Sequence, residues 1–204
     1  YEGHKIVPYC PRCGTPLSSH EVAQGYKDVK ERSAVVRFKV KGEDAYILAW
    51  TTTPWTLPSN VALCVNPDED YVKVTSKGYT YYMAAALVDT VLGEGAEILE
   101  HYQGKDLEFK EYEPLFPYAE KRIGNKKAYY VVCDTYVTLT DGTGVVHIAP
   151  AFGEDDSKVG HRYDLPFVQL VNEKGEMTEE TPWAGTFCKK ADMAVLQALE
   201  DKDL

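Results

Sequence analysis

Short runs of β-branched and aromatic residues recur along most of the chain, each cut off by Gly, Pro, Asp or Asn. The runs are AVVRFKV (34–40), AYILAW (45–50), VALCV (61–65), YVKV (71–74), YTYYMA (79–84), AYYVVC (128–133), VVHIA (145–149) and FVQLV (167–171). Val, Ile and Tyr suit a pleated surface and the bounding residues are turn formers, so these runs are predicted strands. Helical spacing is rarer. AALVDTVLG reads as a short helix closed by Gly93, because glycine takes the left-handed C-terminal conformation without a Cβ clash. EDDSKVGHRY places acids in a first turn, facing the positive end of a helix dipole. KKADMAVLQALEDKDL has apolar positions three and four apart and predicts a C-terminal helix. Roughly eight strands against three short helices imply a mainly β chain, a barrel or closed sheet with peripheral short helices.

Composition narrows this further. A hydrophobic share of 44% over 204 residues supplies a sizeable core, enough for one large domain or one and a half. No apolar run approaches the roughly 20 residues that cross a bilayer, so no membrane partner is expected. The net charge of −10 argues against a general nucleic-acid binder, whose affinity rests on Lys and Arg meeting phosphates. It leaves room for a pocket that takes one nucleotide or one RNA end. Five cysteines, three of them isolated, fit a reducing compartment and a cytoplasmic location better than a disulfide framework. The chain starts at Tyr1 rather than Met, and we expect a piece excised from something longer.

Three stretches hold chemistry. In CPRCG, Cys10 and Cys13 have the spacing of two thiolates gripping one tetrahedral ion. A structural site needs four ligands, no second pair follows, and His4 and His20 fit no zinc spacing; we expect an incomplete zinc half-site with no bound metal. The second stretch, WTTTPWTLPSN (50–60), gathers neutral hydrogen-bonding groups between two tryptophans and two prolines, without an ionisable side chain. Thr53 and Leu57 precede prolines and are pushed towards extended backbone, and the prolines exclude an ordinary helix interior. Threonine is stiff at χ1, so its hydroxyl is aimed with little entropy left to lose. The stretch reads either as a threonine-rich strand and turn, or as a site for a neutral ligand with a flat face, such as a ribose and its base. It cannot itself do acid–base work.

The third stretch is DGTGVVHIAPAFGEDD (141–156). Alternation puts Val145, His147 and Ala149 on one strand face, and Pro150 and Gly153 end the strand ahead of Glu154, Asp155 and Asp156. The plain reading is a structural histidine and solvated helix-start acids. A phosphate cradle at GTG is poorly supported, since no lysine follows. The functional reading rests on His147 and an acid pair meeting at a strand end, where ligand sites collect.

Together the two motifs resemble the editing domain inserted into isoleucyl-tRNA synthetase, a class I aminoacyl-tRNA synthetase. WTTTPWTLPSN resembles that family's threonine-rich segment, GTGVVHIAPAFGEDD its second editing motif, and YCPRCGTPLSSHEV the stretch that enters the insertion. Valyl and leucyl relatives typically continue with Arg-Pro where this chain has Thr53-Pro54-Trp55, and lack the equivalent of His147. The resemblance implies a distorted β-barrel with flanking helices over 21–204, entered through a partial zinc ribbon or linker at 1–20. It implies hydrolysis of valine wrongly esterified to the isoleucine tRNA, and of valyl-adenylate as a second substrate. Isoleucyl-tRNA synthetase is itself the standard illustration of the logic: one missing methylene is poorly rejected by a pocket that admits the larger side chain, so a second, smaller site removes the error.

The resemblance also assigns roles. Asp156 would hold the substrate α-ammonium, a cation every aminoacyl ester carries. His147 would limit pocket depth, admitting valine and clashing with isoleucine; chemically it is also a candidate base. Thr51, Thr52, Thr53 and Thr56 would bind the terminal adenosine and the ester region, Asn60 lies nearby, and Trp50 or Trp55 would wall the pocket. Asp156, Thr53, Thr56 and His147 form the expected catalytic set. An aminoacyl ester is already activated, so orienting it with one water supplies much of the rate and no protein nucleophile is needed. The expected partners are the aminoacylated 3′ end of the isoleucine tRNA, its valine moiety and the remainder of the synthetase. No cofactor is expected in this stretch; zinc stays open for the full-length enzyme. Neither a His-x-Gly-His nor a Lys-Met-Ser-Lys-Ser element occurs, so no ligase activity is expected of the chain itself. Two alternatives stand beside this reading: a docking module that holds the tRNA end without hydrolysis, and a zinc-ribbon interaction domain.

Overall fold

The computed structural model describes residues 5–204. A small hairpin, β1 (Tyr9–Cys10) with β2 (Thr15–Pro16), leads into helix α1 (Ser19–Gln24). Ser18 caps α1, its hydroxyl accepting from Glu21 N–H while the Glu21 carboxylate accepts from Ser18 N–H, the reciprocal capping box. His4, and the start of the expected 1–20 segment, lie outside the described residues.

The remaining strands form one eight-stranded sheet: β3 (Ala34–Lys39), β4 (Tyr46–Thr51), β5 (Ala62–Val65), β6 (Asp70–Ser76), β7 (Tyr79–Ala84), β8 (Glu97–Gln103), β9 (Tyr130–Cys133) and β10 (Val145–Ile148). The order runs β8-β6-β7-β4-β10-β5-β9, with β3 pairing β4 from its other side. One flank of β4 is shared: β7 pairs at Tyr46 and Ile47, β10 at Trp50. Residues 109–113 then link β9 to the end of β3, through Tyr112 N–H to Tyr129 O at 3.0 Å, Lys41 N–H to Glu111 O at 3.0 Å and Glu113 N–H to Lys39 O at 2.8 Å. The sheet thereby curls into a distorted barrel around Phe38, Ile47, Leu63, Tyr71, Val131 and Val145, with β7, β6 and β8 as a flap. Helices α2 (Val88–Leu92), α3 (Glu120–Ile123), α4 (Glu154–Arg162) and α5 (Cys188–Glu200) lie around it. Among the described residues no helix is long and apolar enough to cross a membrane.

The mainly β expectation holds, with instructive departures. FVQLV forms no named strand; Val168 and Leu170 are buried, but pairing is limited to an isolated bridge of Val171 to Met177, with Leu170 N–H donating to the Ser59 hydroxyl. Conversely β8 is a strand that alternation does not reveal, because as a sheet edge it is exposed almost throughout. The segment after Thr53 is no extended turn but a 3₁₀ helix, Pro54–Ser59. Its i+3 bonds, Thr56 N–H to Thr53 O and Asn60 N–H to Leu57 O, each 3.0 Å, require no donor from either proline.

Candidate functional site

The pairing of β4 with β10 builds the site. Trp50 bridges Val146 in parallel, so both strands point the same way and end side by side. The threonine-rich segment leaves from one end and the His147–Asp156 segment from the other. Two motifs far apart in sequence therefore reach the same rim of the sheet.

On that rim His147 is 7% exposed and enclosed by a hydrogen-bond network. Thr56 donates its hydroxyl proton to Thr53 O at 2.8 Å, so it receives one from His147 Nε2 at 2.7 Å. Nδ1 is then the acceptor and takes a proton from Asn60 Nδ2 at 3.3 Å. The other Asn60 amide proton goes to Ala62 O at 2.9 Å, and its Oδ1 accepts from Tyr112 O–H at 2.5 Å. Every group is satisfied by a neutral partner, and burial pushes the His147 pKa down to about 4. As arranged, the ring has no free lone pair to take a proton from water. Its geometry suits a wall rather than a general base.

Thr51 turns the chain into this network, accepting from Thr53 N–H at 3.0 Å. The Thr53 hydroxyl has only long contacts, 3.4 Å to Thr51 and 3.3 Å to Thr56. The Thr52 hydroxyl has no hydrogen-bond partner among the described residues, and Thr52 is only half-buried. The tryptophans part company. Trp50, on the opposite strand face from Thr51, packs on the GTG loop and lines a cavity of about 240 Å³ with Tyr136, Thr140 and Val146. Trp55 lines another of about 540 Å³ with Phe152 and Phe167. GTG itself is a staple: Thr143 donates to Leu48 O at 2.7 Å and accepts at its carbonyl from Ala84 N–H at 3.0 Å.

Asp156 differs in kind. It stands in the first turn of α4, half-buried, its Oδ2 accepting from Ala149 N–H at 3.1 Å. Ala149 follows β10 directly, two residues from His147. A Cβ at Gly153 would stand 3.1 Å from the carboxyl carbon, so glycine makes room for the acid to fold back. Burial raises the pKa of Asp156 to about 6, reinforced by the charge of Asp155 and opposed by the Ala149 bond. No cation pairs with it among the described residues, whereas Asp155 and Glu154 share Lys158.

Cys10 and Cys13 bring their sulfurs to 3.1 Å, Cys13 donating to Cys10 and lowering its pKa. Among the described residues no cluster of three or more His, Cys, Asp or Glu is arranged to hold a metal ion. These donors supply half a tetrahedral set.

No family model matches the chain. Relatives do, over 98% of its length: isoleucine–tRNA ligase of Clostridium acetobutylicum is 58% identical across 203 residues, and that of Clostridium novyi 55%. The isoleucine–tRNA ligase of Picrophilus torridus is 46% identical across 202 residues. The chain matches one segment of the isoleucine–tRNA ligases. It spans about a fifth of these relatives, 19% of their length. Its fold is that of leucyl-tRNA synthetase editing domains. The cytosolic domain from P. knowlesi superposes with a TM-score of 0.63, covering 88% of this chain and 97% of that one at 13% identity. GlLeuRS-CP1 gives 0.65, covering 84% and 96%, also at 13% identity. Fold and sequence family thus agree while pointing to different relatives.

Sequence reasoning missed two supports of this site, Tyr112 and Asp192. Neither carries a motif; each reaches its partner across 52 and 137 residues respectively.

Proposed function

We propose that this chain is the editing domain of an isoleucine–tRNA ligase and hydrolyses valine wrongly esterified to the isoleucine tRNA, with valyl-adenylate as a second substrate. The observation that carries the reading is the half-buried Asp156 carboxylate, without a cation partner among the described residues and held by Ala149 N–H two residues after His147, the histidine that bonds the Thr56 hydroxyl. A substrate α-ammonium supplies the cation this anion lacks, and its arrival favours the ionised form. Thr51 and Thr52 face the terminal ribose and ester. Thr53, whose hydroxyl has only long contacts, donates to the oxyanion as the tetrahedral carbon forms. Water attacks the ester carbonyl, the C–O bond to the ribose breaks, and the ribose hydroxyl leaves with a proton from solvent. His147, fixed at both nitrogens, stays neutral and closes the floor on which isoleucine's extra methylene would press. The partners are then the aminoacylated 3′ end and the rest of the ligase, in the cytoplasm where charged tRNA is made.

The test is deacylation of valine-charged and isoleucine-charged isoleucine tRNA. The native chain should release valine and spare isoleucine, while His147→Ala should release both. Tight binding of the mischarged end without release would replace hydrolysis by docking, and survival of the isoleucyl ester with His147→Ala would remove the steric role.

A further inference from the structure

The segment that bears Thr53 and Thr56 is braced from the C-terminal helix. Trp55 N–H donates to Asp192 Oδ1 at 3.0 Å. Asp192 stands early in α5, whose Ala191, Val195 and Leu199 are buried. It is half-buried, so it is held by the helix rather than swinging in solvent.

The Trp55 indole meets Phe152 edge-on, with ring centroids 5.2 Å apart and planes at 79°. Both rings rest on one small core of Val171, Met177, Cys188 and Ala191. Phe152 closes the turn after β10, its N–H bonding to Ala149 O at 2.9 Å, and Ala149 N–H is the donor that holds Asp156. Trp55 is therefore gripped through its backbone by α5, while its ring steadies the turn that presents the acid. A shift of the 3₁₀ helix would move the threonines and loosen the Asp156 turn together.

We propose that Asp192 is a positioning residue for editing: by accepting from Trp55 N–H it fixes the threonine-bearing 3₁₀ helix against the turn that holds Asp156. This rests on reading the site as ester-hydrolysing. Loss of the bond should act on the reacting geometry, which a displacement of about 1 Å spoils, more than on capture of the tRNA.

The test compares Asp192→Ala and Asp192→Asn with the native chain on valine-charged tRNA, with Asp156→Ala as the inactive control. Asp192→Ala should lower kcat about tenfold and leave KM within about twofold, the worth of one hydrogen bond to a charged acceptor. Asp192→Asn should stay within about twofold of native, because its amide oxygen accepts the same bond. Amide hydrogen exchange supplies a readout independent of turnover: Trp55 N–H should be protected in the native and Asn proteins and open in the Ala protein. Native kcat in Asp192→Ala, or equal losses in the Asn and Ala variants, would overturn the proposal while leaving the deacylase reading intact. Absence of turnover in the native chain would instead sink the deacylase reading and the proposal with it.

Discussion

His147 and Asp156 lie nine residues apart on one rim, yet their surroundings are opposites. Around His147 each donor meets an acceptor and nothing is charged. Asp156 accepts from Ala149 N–H, stands beside another acid and, among the described residues, has no paired cation. On the proposed reading, the contrast separates two jobs that one site has to do. Selecting by size needs a wall that does not move or change charge, and a closed neutral network supplies that. Capturing a cation needs a group left incomplete in the free protein, at some cost in stability.

The sharpest way to break this comparison is Asp156→Asn. Asparagine keeps the acceptor for Ala149 N–H and loses the charge. Valyl-ester hydrolysis should fall by about two to three orders of magnitude, the scale for removing one partner of a desolvated charge pair. The free protein should at the same time become more stable at neutral pH. The folded pKa of Asp156, about 6, lies above its ordinary 3.8, so the stability this carboxyl adds at low pH is lost as pH rises through 6. Removing the charge recovers up to about 3 kcal/mol at pH 7. Denaturant melts of both proteins would show it; a destabilised, active variant would undo the comparison.

Asn60→Ala attacks the other side. It strands the Tyr112 hydroxyl and His147 Nδ1 in the interior, and should cost about 2–4 kcal/mol in unfolding free energy. A variant within experimental error of native would mean the network is looser than its geometry implies.

A pH titration of stability sharpens the picture with a comparable magnitude and the opposite sign. The folded pKa of His147, about 4, lies below its ordinary 6.5, so its contribution is complete above 6.5 and falls away as pH drops towards 4. The loss amounts to about 3 kcal/mol. His147→Gln should flatten that acid limb, and an unchanged limb would place the sensitivity elsewhere.

The smallest effect belongs to Thr52→Val. With no hydrogen bond to lose, stability should change by less than about 0.5 kcal/mol. A rise in KM for mischarged tRNA without that stability change would mark the hydroxyl as one kept for ligand.

Much of this arrangement was legible in the chain. The Val- and Tyr-rich runs gave most of the barrel, and Gly93, Glu154 and the periodic C-terminus gave helix ends and faces. Neutral hydroxyls, a strand histidine and strand-end acids stood out by residue type, while the choice of Asp156 and the roles assigned to these residues came from the family resemblance. Position in space was less accessible. Pro54 and Pro58 suggested extended backbone because proline rules are written for the α-helix, whereas the tighter 3₁₀ form tolerates them. The edge strand β8 takes its shape from pairing with β6 rather than from its own pattern. Tyr112 and Asp192 act through contacts that only the folded chain creates, and nothing in EYEPLF or KKADMA distinguishes them from ordinary surface or core residues.

The single bridge between Trp50 and Val146 has a practical corollary for anyone rebuilding this protein. The chain between the two motifs includes a hairpin tip, Lys77–Gly78, where a Cβ on the glycine would meet open space. A fluorophore, an affinity peptide or a longer natural loop grafted at that tip should ride along as passive freight, leaving the proposed site undisturbed.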